Sequence, residues 1–353
     1  MRIRIHRYHQ TVLLLIMAAV LLTACSSDSP ETQTISKGDA PVDHVVHIVS
    51  YAPSYMETAT TRSAPTGYSD YLMEKVTEMG IYMLKEDDVT YEEKLLRYAT
   101  KWFAYFDALP NKDYTVYGYL PKLEGMGSSL SNVTPDGATL TITGMSPVTT
   151  DDICIITGVK ETDMGLKEGQ FHWFMANAND NFYMYLLLNH LYASVRFSMK
   201  IDEEYANLRT IKLKSMKLSA EKVSVSAAIS LTHNNTGDIP ITNVNYTETE
   251  TESSSEAVIF NDDEGAALDK STPKTIDACF APTLSSDLTL VSTYDVYDRK
   301  GNLIREGCSA TNKIPDLEAS RGQRVQLNLT VNPTYLYVLS DPDLDNPTVK
   351  VEN

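Results

Sequence analysis

Cysteine, tryptophan and basic side chains are all scarce. Four cysteines and two tryptophans in 353 residues exclude a disulfide-stapled miniprotein. Lys and Arg total 30 against 47 Asp and Glu, a formal net charge of −17. That balance excludes a nucleic-acid partner, because phosphate backbones are bound by basic stripes that release counterions. No G-x-S-x-G, H-E-x-x-H, Walker or C-x-x-C pattern occurs, and Gly125-Met126-Gly127 lacks the strand and helix context of a phosphate loop. Neither an enzyme nor a cofactor is expected. What is present suffices for a core: 42% of the residues are hydrophobic, among them 21 Tyr and 8 Phe, so disorder throughout is excluded.

The chain begins with Arg2, Arg4 and Arg7 and no acid, followed by an apolar run from Thr11 to Leu22 that ends in Leu22-Thr23-Ala24-Cys25. This is the layout of a secretory signal, and the run falls short of the roughly 20 residues a membrane-spanning helix needs. A cysteine directly after small residues is where a bacterial lipoprotein is lipid-modified and cut, so residues 1–24 are read as a lipoprotein signal peptide and Cys25 as the lipidation site. Residues 25–40 are polar and aperiodic, a flexible tether. Its acidic start is similar to the signal that sends some lipoproteins to the outer face of the outer membrane.

Beyond residue 41 the pattern is of short apolar or alternating runs bounded by turn residues, which predicts strands. Val45 to Val49, Thr115 to Tyr119, Ala138 to Thr143, Asp152 to Thr157 and Ala193 to Met199 form a first set. Leu208 to Leu218, Val223 to Leu231, Leu288 to Tyr297, Asn302 to Cys308 and Arg324 to Val331 form a second, with Asp298-Arg299-Lys300-Gly301 as a hairpin turn. Two β-sandwich domains are expected, residues 41–203 and 204–353. Within the first, Leu95, Leu96 and Tyr98 among charges suit a short helical or irregular insertion near Tyr91 to Thr100. Thr247 to Glu256 reads as an exposed loop or hairpin tip.

The candidate metal and redox groups are few. His44 and His47 sit three apart on a strand and face opposite sides, so they do not share a metal; His172 and His190 have no partner at ligand spacing. Asp341-Pro342-Asp343-Leu344-Asp345 with Glu352 follows a calcium-loop spacing, but Pro342 and Pro347 and the non-helical flanks favour a turn. No metal site is expected. Cys279 and Cys308 are either a disulfide, if their Cα atoms come within about 7 Å, or, with Cys154, free buried thiols.

Several segments taken together resemble the fimbrillin family, the subunits of type V pili. They are the lipobox ending in Cys25, Thr60-Thr61-Arg62-Ser63-Ala64, Tyr114 to Pro121, Asp151-Asp152-Ile153, Asn189 to Phe197, and Pro333 to Ser340. The resemblance implies two transthyretin-like sandwiches in series and an assembly route. The precursor travels as a lipoprotein, a trypsin-like protease cuts after an arginine, and loss of the first strand opens a groove that a strand of the next subunit fills. On this chain it implies cleavage between Arg62 and Ser63. The donor strand would lie within 334–353, with Tyr335, Leu336, Tyr337, Val338, Leu339, Val349 and Val351 as its apolar positions. The partners so implied are other fimbrial subunits, the processing protease and the outer membrane. The alternatives are a pilus anchor that keeps its lipid and first strand, or a monomeric surface lipoprotein that binds glycans or another host ligand.

Overall fold

The computed structural model describes residues 42–57, 68–70, 77–85, 88–108, 110–176, 181–222, 224–233, 242–249, 254–282, 288–314, 317, 319–335 and 342–352. Almost all of them are extended. In chain order the first strands are β1 (Val42–Pro53), β2 (Met56–Glu57), β3 (Tyr68–Asp70), β4 (Thr77–Lys85), β5 (Asp88–Tyr98), β6 (Trp102–Ala108), β7 (Asp113–Leu120) and β8 (Gly127–Thr134). Next come β9 (Gly137–Met145), β10 (Val148–Thr149), β11 (Cys154–Lys160), β12 (His172–Phe174), β13 (Phe182–His190) and β14 (Ala193–Ile201). A single turn of helix, α1 (Glu203–Ala206), precedes β15 (Thr210–Ala220), β16 (Ser224–Thr232), β17 (Thr242–Thr249), β18 (Ser255–Ala267) and β19 (Lys274–Phe280). The last four are β20 (Leu288–Tyr297), β21 (Leu303–Ile314), β22 (Gln323–Tyr335) and β23 (Pro342–Glu352). The expectation of an all-β, sandwich-class fold holds.

The first core is enclosed by one sheet that returns on itself. Its strands run β11-β13-β1-β6-β5-β4-β7, and β7 pairs back with β11, so the ladder has no open edge around the ring. Inside lie Val46, Ile48, Met79, Ile81, Phe106, Val116, Ile156, Trp173, Met184 and Leu186, all buried. Two glycines let β4 and β7 approach closely. A Cβ on Gly118 would stand 2.5 Å from the Gly80 carbonyl oxygen, and one on Gly80 would stand 2.5 Å from the Tyr119 ring.

The second core is built by three further sheets, ordered β10-β19-β14-β22 with β2 and β23 on β22, β18-β15-β20-β21, and β17-β16-β9-β8, and takes in Tyr82, Tyr117, Tyr119 and Ile155 from the first sheet. Strand pairing crosses residues 203/204. β9 pairs with β16, and β14 runs parallel to β22. β15 shows how its sequence serves this core. Ile211 and Leu213 are buried at odd positions, Met216, Leu218 and Ala220 at even ones, and the change of phase falls at a bulge between Leu213 and Ser215, which inserts the extra residue. At α1 the Asp202 carboxylate accepts from the Glu204 and Tyr205 amides at 3.0 and 2.9 Å, an N-cap that seats buried Tyr205 in the core.

Two expectations are corrected and one open alternative is decided. The segment near Tyr91 to Thr100 is not a helical or irregular insertion: Tyr91 to Tyr98 belong to β5, paired along its length with β4 from Lys85↔Asp88 to Thr77↔Leu96. Of its apolar residues Leu96 is buried and Leu95 and Tyr98 are exposed, so the cluster that suits a helix stripe is split between the faces of a strand. Cys279 and Cys308 are not bridged; both are buried thiols, as is Cys154. Thr247 to Thr249 and Ser255-Glu256 are strand rather than loop.

Candidate functional site

Alternation dictates how β1 sits. His44, Val46, Ile48, Ser50 and Ala52 are buried, whereas Val45 is exposed and His47, Val49 and Tyr51 are half-buried. One face therefore fills the first core and the other looks outward. β1 is an interior strand of the closed ladder. On one side it runs parallel to β13, from Val46↔Phe182 to Tyr51↔Leu187; on the other it runs antiparallel to β6, from Val42↔Ala108 to His47↔Phe103. The His44 ring packs on Phe182 at 5.0 Å. Burial, and then the Lys101 ammonium, hold the His47 imidazole below its ordinary pKa.

Taking β1 out of this arrangement would leave unpaired main-chain edges on β13, β6 and the short β3, above an uncovered apolar floor. Every buried N–H and C=O along those edges would need a new partner. Chain connectivity makes this segment separable. β1 precedes every other described strand, so one break downstream of it severs its link to the rest of the sheet.

The outward face around β1 is aromatic. Phe103 and Tyr105 of β6 flank it on one side and Tyr183 and Tyr185 of β13 on the other, with ring centroids 5.9 Å apart within each pair. The Lys101 ammonium donates to the Tyr183 hydroxyl at 2.8 Å.

The C-terminal strand is held by its own chain. β23 lies antiparallel to β22, with Val331↔Val349 and Leu329↔Val351 in register. Tyr205 and Tyr294 hydroxyls donate to the Leu344 and Pro347 carbonyls, each at 2.6 Å, and the Asn312 amide donates to the Val349 carbonyl at 2.8 Å. The Asp345 carboxylate takes the Arg209 guanidinium at 2.7 Å, so this acid of the calcium-like spacing serves an ion pair within a strand.

Of the residues expected to matter, Val349 is buried and Val351 half-buried on β23, and Tyr335 ends β22. Cys25, Arg62, Ser63, Leu336, Tyr337, Val338 and Leu339 lie outside the described residues, as does Asp341.

His190 departs from its expected isolation. Asp152 Oδ2 stands 2.8 Å from its Nδ1, and Cys154 Sγ 3.8 Å from the same nitrogen. The signal was dispersed, since the histidine ends β13 while the aspartate and cysteine flank the start of β11. Only the β11–β13 register, in which Cys154 faces His190, brings them together.

Among the described residues, no helix is long and apolar enough to cross a membrane. Neither a protein-family model nor a curated protein matches the chain. It is similar to solved structures described as cell-adhesion and fimbrial proteins of Bacteroides. A fimbrial protein from Bacteroides vulgatus is 12% identical, over 87% of this chain and 98% of that one, with a TM-score of 0.33. A candidate cell-adhesion protein from Bacteroides uniformis is 15% identical over 87% and 98%, with a TM-score of 0.35. Another from Bacteroides fragilis is 12% identical over 87% and 97%, with a TM-score of 0.40.

Proposed function

We propose that this chain is a structural subunit of a cell-surface fimbria, non-enzymatic and joined to its neighbours by strand exchange. On this reading it is exported as a lipoprotein precursor acylated at Cys25 and reaches the outer membrane. A trypsin-like protease then cuts between Arg62 and Ser63. β1 leaves with the N-terminal piece, and a strand from the 334–353 region of the next subunit enters between β13 and β6.

The observation that carries the proposal is the position of β1, the first described strand in sequence and an interior strand in space. A strand with neighbours on both sides, tied to the fold through one covalent link, is suited to β-augmentation, in which main-chain hydrogen bonds and alternate side chains replace what was removed. Keeping it in place until export also protects edges that would otherwise pair without control.

A truncation ending before Tyr335 tests the donor assignment. Secretion of the truncate without polymers is the expected result, and polymers built from it would overturn the assignment. A second reading, a monomeric glycan-binding surface lipoprotein, is favoured by the aromatic face of Phe103, Tyr105, Tyr183 and Tyr185, since aromatic faces present an apolar body with a polar tip. Cells bearing only the monomeric, Cys25-lipidated form, and loss of glycan binding on Tyr183→Ala with Tyr185→Ala, would select that reading.

A further inference from the structure

We propose that Asp152, Cys154 and His190 form a binding site for a borderline-soft divalent transition ion of the zinc class, with Cys279 bordering its far side. The ligand atoms of the first three residues lie within 4.8 Å of one another, and they present carboxylate, thiol and imidazole, the donor set such ions take. The site belongs to the chain before strand exchange: Pro53 and Tyr55 precede Arg62 and, on the reading above, leave with the N-terminal piece.

Hydrogen bonding around His190 sets up the site. Its Nε2 lies 2.7 Å from the Pro53 carbonyl oxygen. A carbonyl only accepts, so Nε2 carries a proton and donates it. Nδ1 then faces Asp152 Oδ2 at 2.8 Å and Cys154 Sγ at 3.8 Å. An imidazole lone pair and a carboxylate oxygen at that separation need a proton or a cation between them. A shared proton meets that need in the metal-free protein; a divalent ion can take its place. A ligating histidine whose other ring N–H is fixed by a carbonyl is the usual outer-shell arrangement.

The surroundings extend the donor set. The Tyr55 hydroxyl donates to Asp152 Oδ1 at 2.6 Å and lies 3.5 Å from Cys279 Sγ, which brings a second thiol to the edge of the cluster. Burial, followed by the Asp152 carboxylate, pushes the Cys279 thiol far above its ordinary pKa, so a metal-free site holds the thiol protonated. Binding would release the Cys154 proton and the proton shared by Asp152 and His190 to solvent, and Cys279 would release a third if it joins. Cys154 and His190 are buried register partners on adjoining strands, which fixes their spacing. The Tyr55 ring stacks on the His190 ring at 4.0 Å and 20° and covers the site.

Cobalt(II) titration of the purified, metal-stripped exported chain, uncut and still carrying Pro53 and Tyr55, tests the proposal. The expected result is one cobalt per chain with a thiolate-to-cobalt charge-transfer band, displaced by zinc. Cys154→Ser and His190→Gln should each weaken binding at least about tenfold, while Cys308→Ser, at a buried thiol in another sheet, leaves it unchanged. Because a core variant can fail to fold, a second measurement uses the unaltered chain: zinc should slow maleimide labelling of Cys154 and leave Cys308 labelling as it was. A wild-type chain with no thiolate band, a band that survives Cys154→Ser, or equal zinc effects on Cys154 and Cys308 would overturn the proposal.

Discussion

Val45 of β1 and Tyr105 of β6 are antiparallel register partners, and both point out of the first core, 36% and 45% exposed. They mark the seam that strand exchange would have to open. A cysteine at each position can be oxidised to a disulfide that ties β1 to β6 without touching the core, since cross-strand Cβ atoms lie about 4.5–5.5 Å apart. Val45→Cys with Tyr105→Cys should therefore be secreted and cut normally yet stay monomeric under oxidising conditions, with polymers returning on reduction. Size-exclusion and gel analysis of the two states reads this out; polymers from the oxidised protein would place the exchange elsewhere.

The C-terminal strand should loosen when its hydroxyl anchors are removed one at a time. Tyr294→Phe deletes the bond to the Pro347 carbonyl and leaves a buried acceptor without that donor, a loss of about 1–2 kcal/mol. Urea unfolding should register the drop. Hydrogen exchange should rise along 342–352 before it rises along 42–53, and a uniform rise in both would contradict an anchoring role confined to β23.

Gly118→Ala should be among the costly single substitutions in the first core. The added methyl meets the Gly80 carbonyl oxygen at 2.5 Å and the Ile156 Cδ1 at 3.0 Å; the first of these is backbone and can yield only if β4 shifts against β7. A loss of roughly 1–3 kcal/mol is expected, measured by denaturant midpoint. A neutral result would mean that the two strands are farther apart than described.

Acid should weaken the fold through His233. Its Nε2 stands 2.6 Å from the Tyr117 hydroxyl and its ring stacks on Phe171 at 5.3 Å; burial first, then the neighbouring His172, lower its pKa. The folded chain thus prefers neutral His233. As pH falls from about 6.5, the ordinary histidine value, the unfolded chain takes up a proton that the folded chain resists. Stability drops until the folded-state pKa is passed. His233→Gln should flatten this part of the stability-versus-pH curve, and an unchanged slope would assign it to other groups.

Strand positions were legible wherever side chains alternate against one core. Leu288 to Tyr297 matches β20 end to end, and the Asp298 to Gly301 turn is where the chain reverses, with the Asp298 carboxylate accepting from the Lys300 and Asn302 amides. β5 was not legible, because it is exposed along most of both faces and its charges with Leu95, Leu96 and Tyr98 imitate a helix. Pairing between distant strands was hidden for a different reason. The β1–β13 ladder is parallel and non-local, and no local pattern reports it. The same holds for His190, whose partners arrive only through the β11–β13 register.

The central claim is that β1 is lost when the subunit joins its neighbours. The N-terminal residue and intact mass of the chain in surface polymers test it most directly. The account predicts Ser63 at the N-terminus, a mass lacking everything before it, and no peptide from 42–53 in the washed polymer. Polymers whose subunits retain residues 42–53 on a chain beginning at a lipid-modified Cys25 would contradict it.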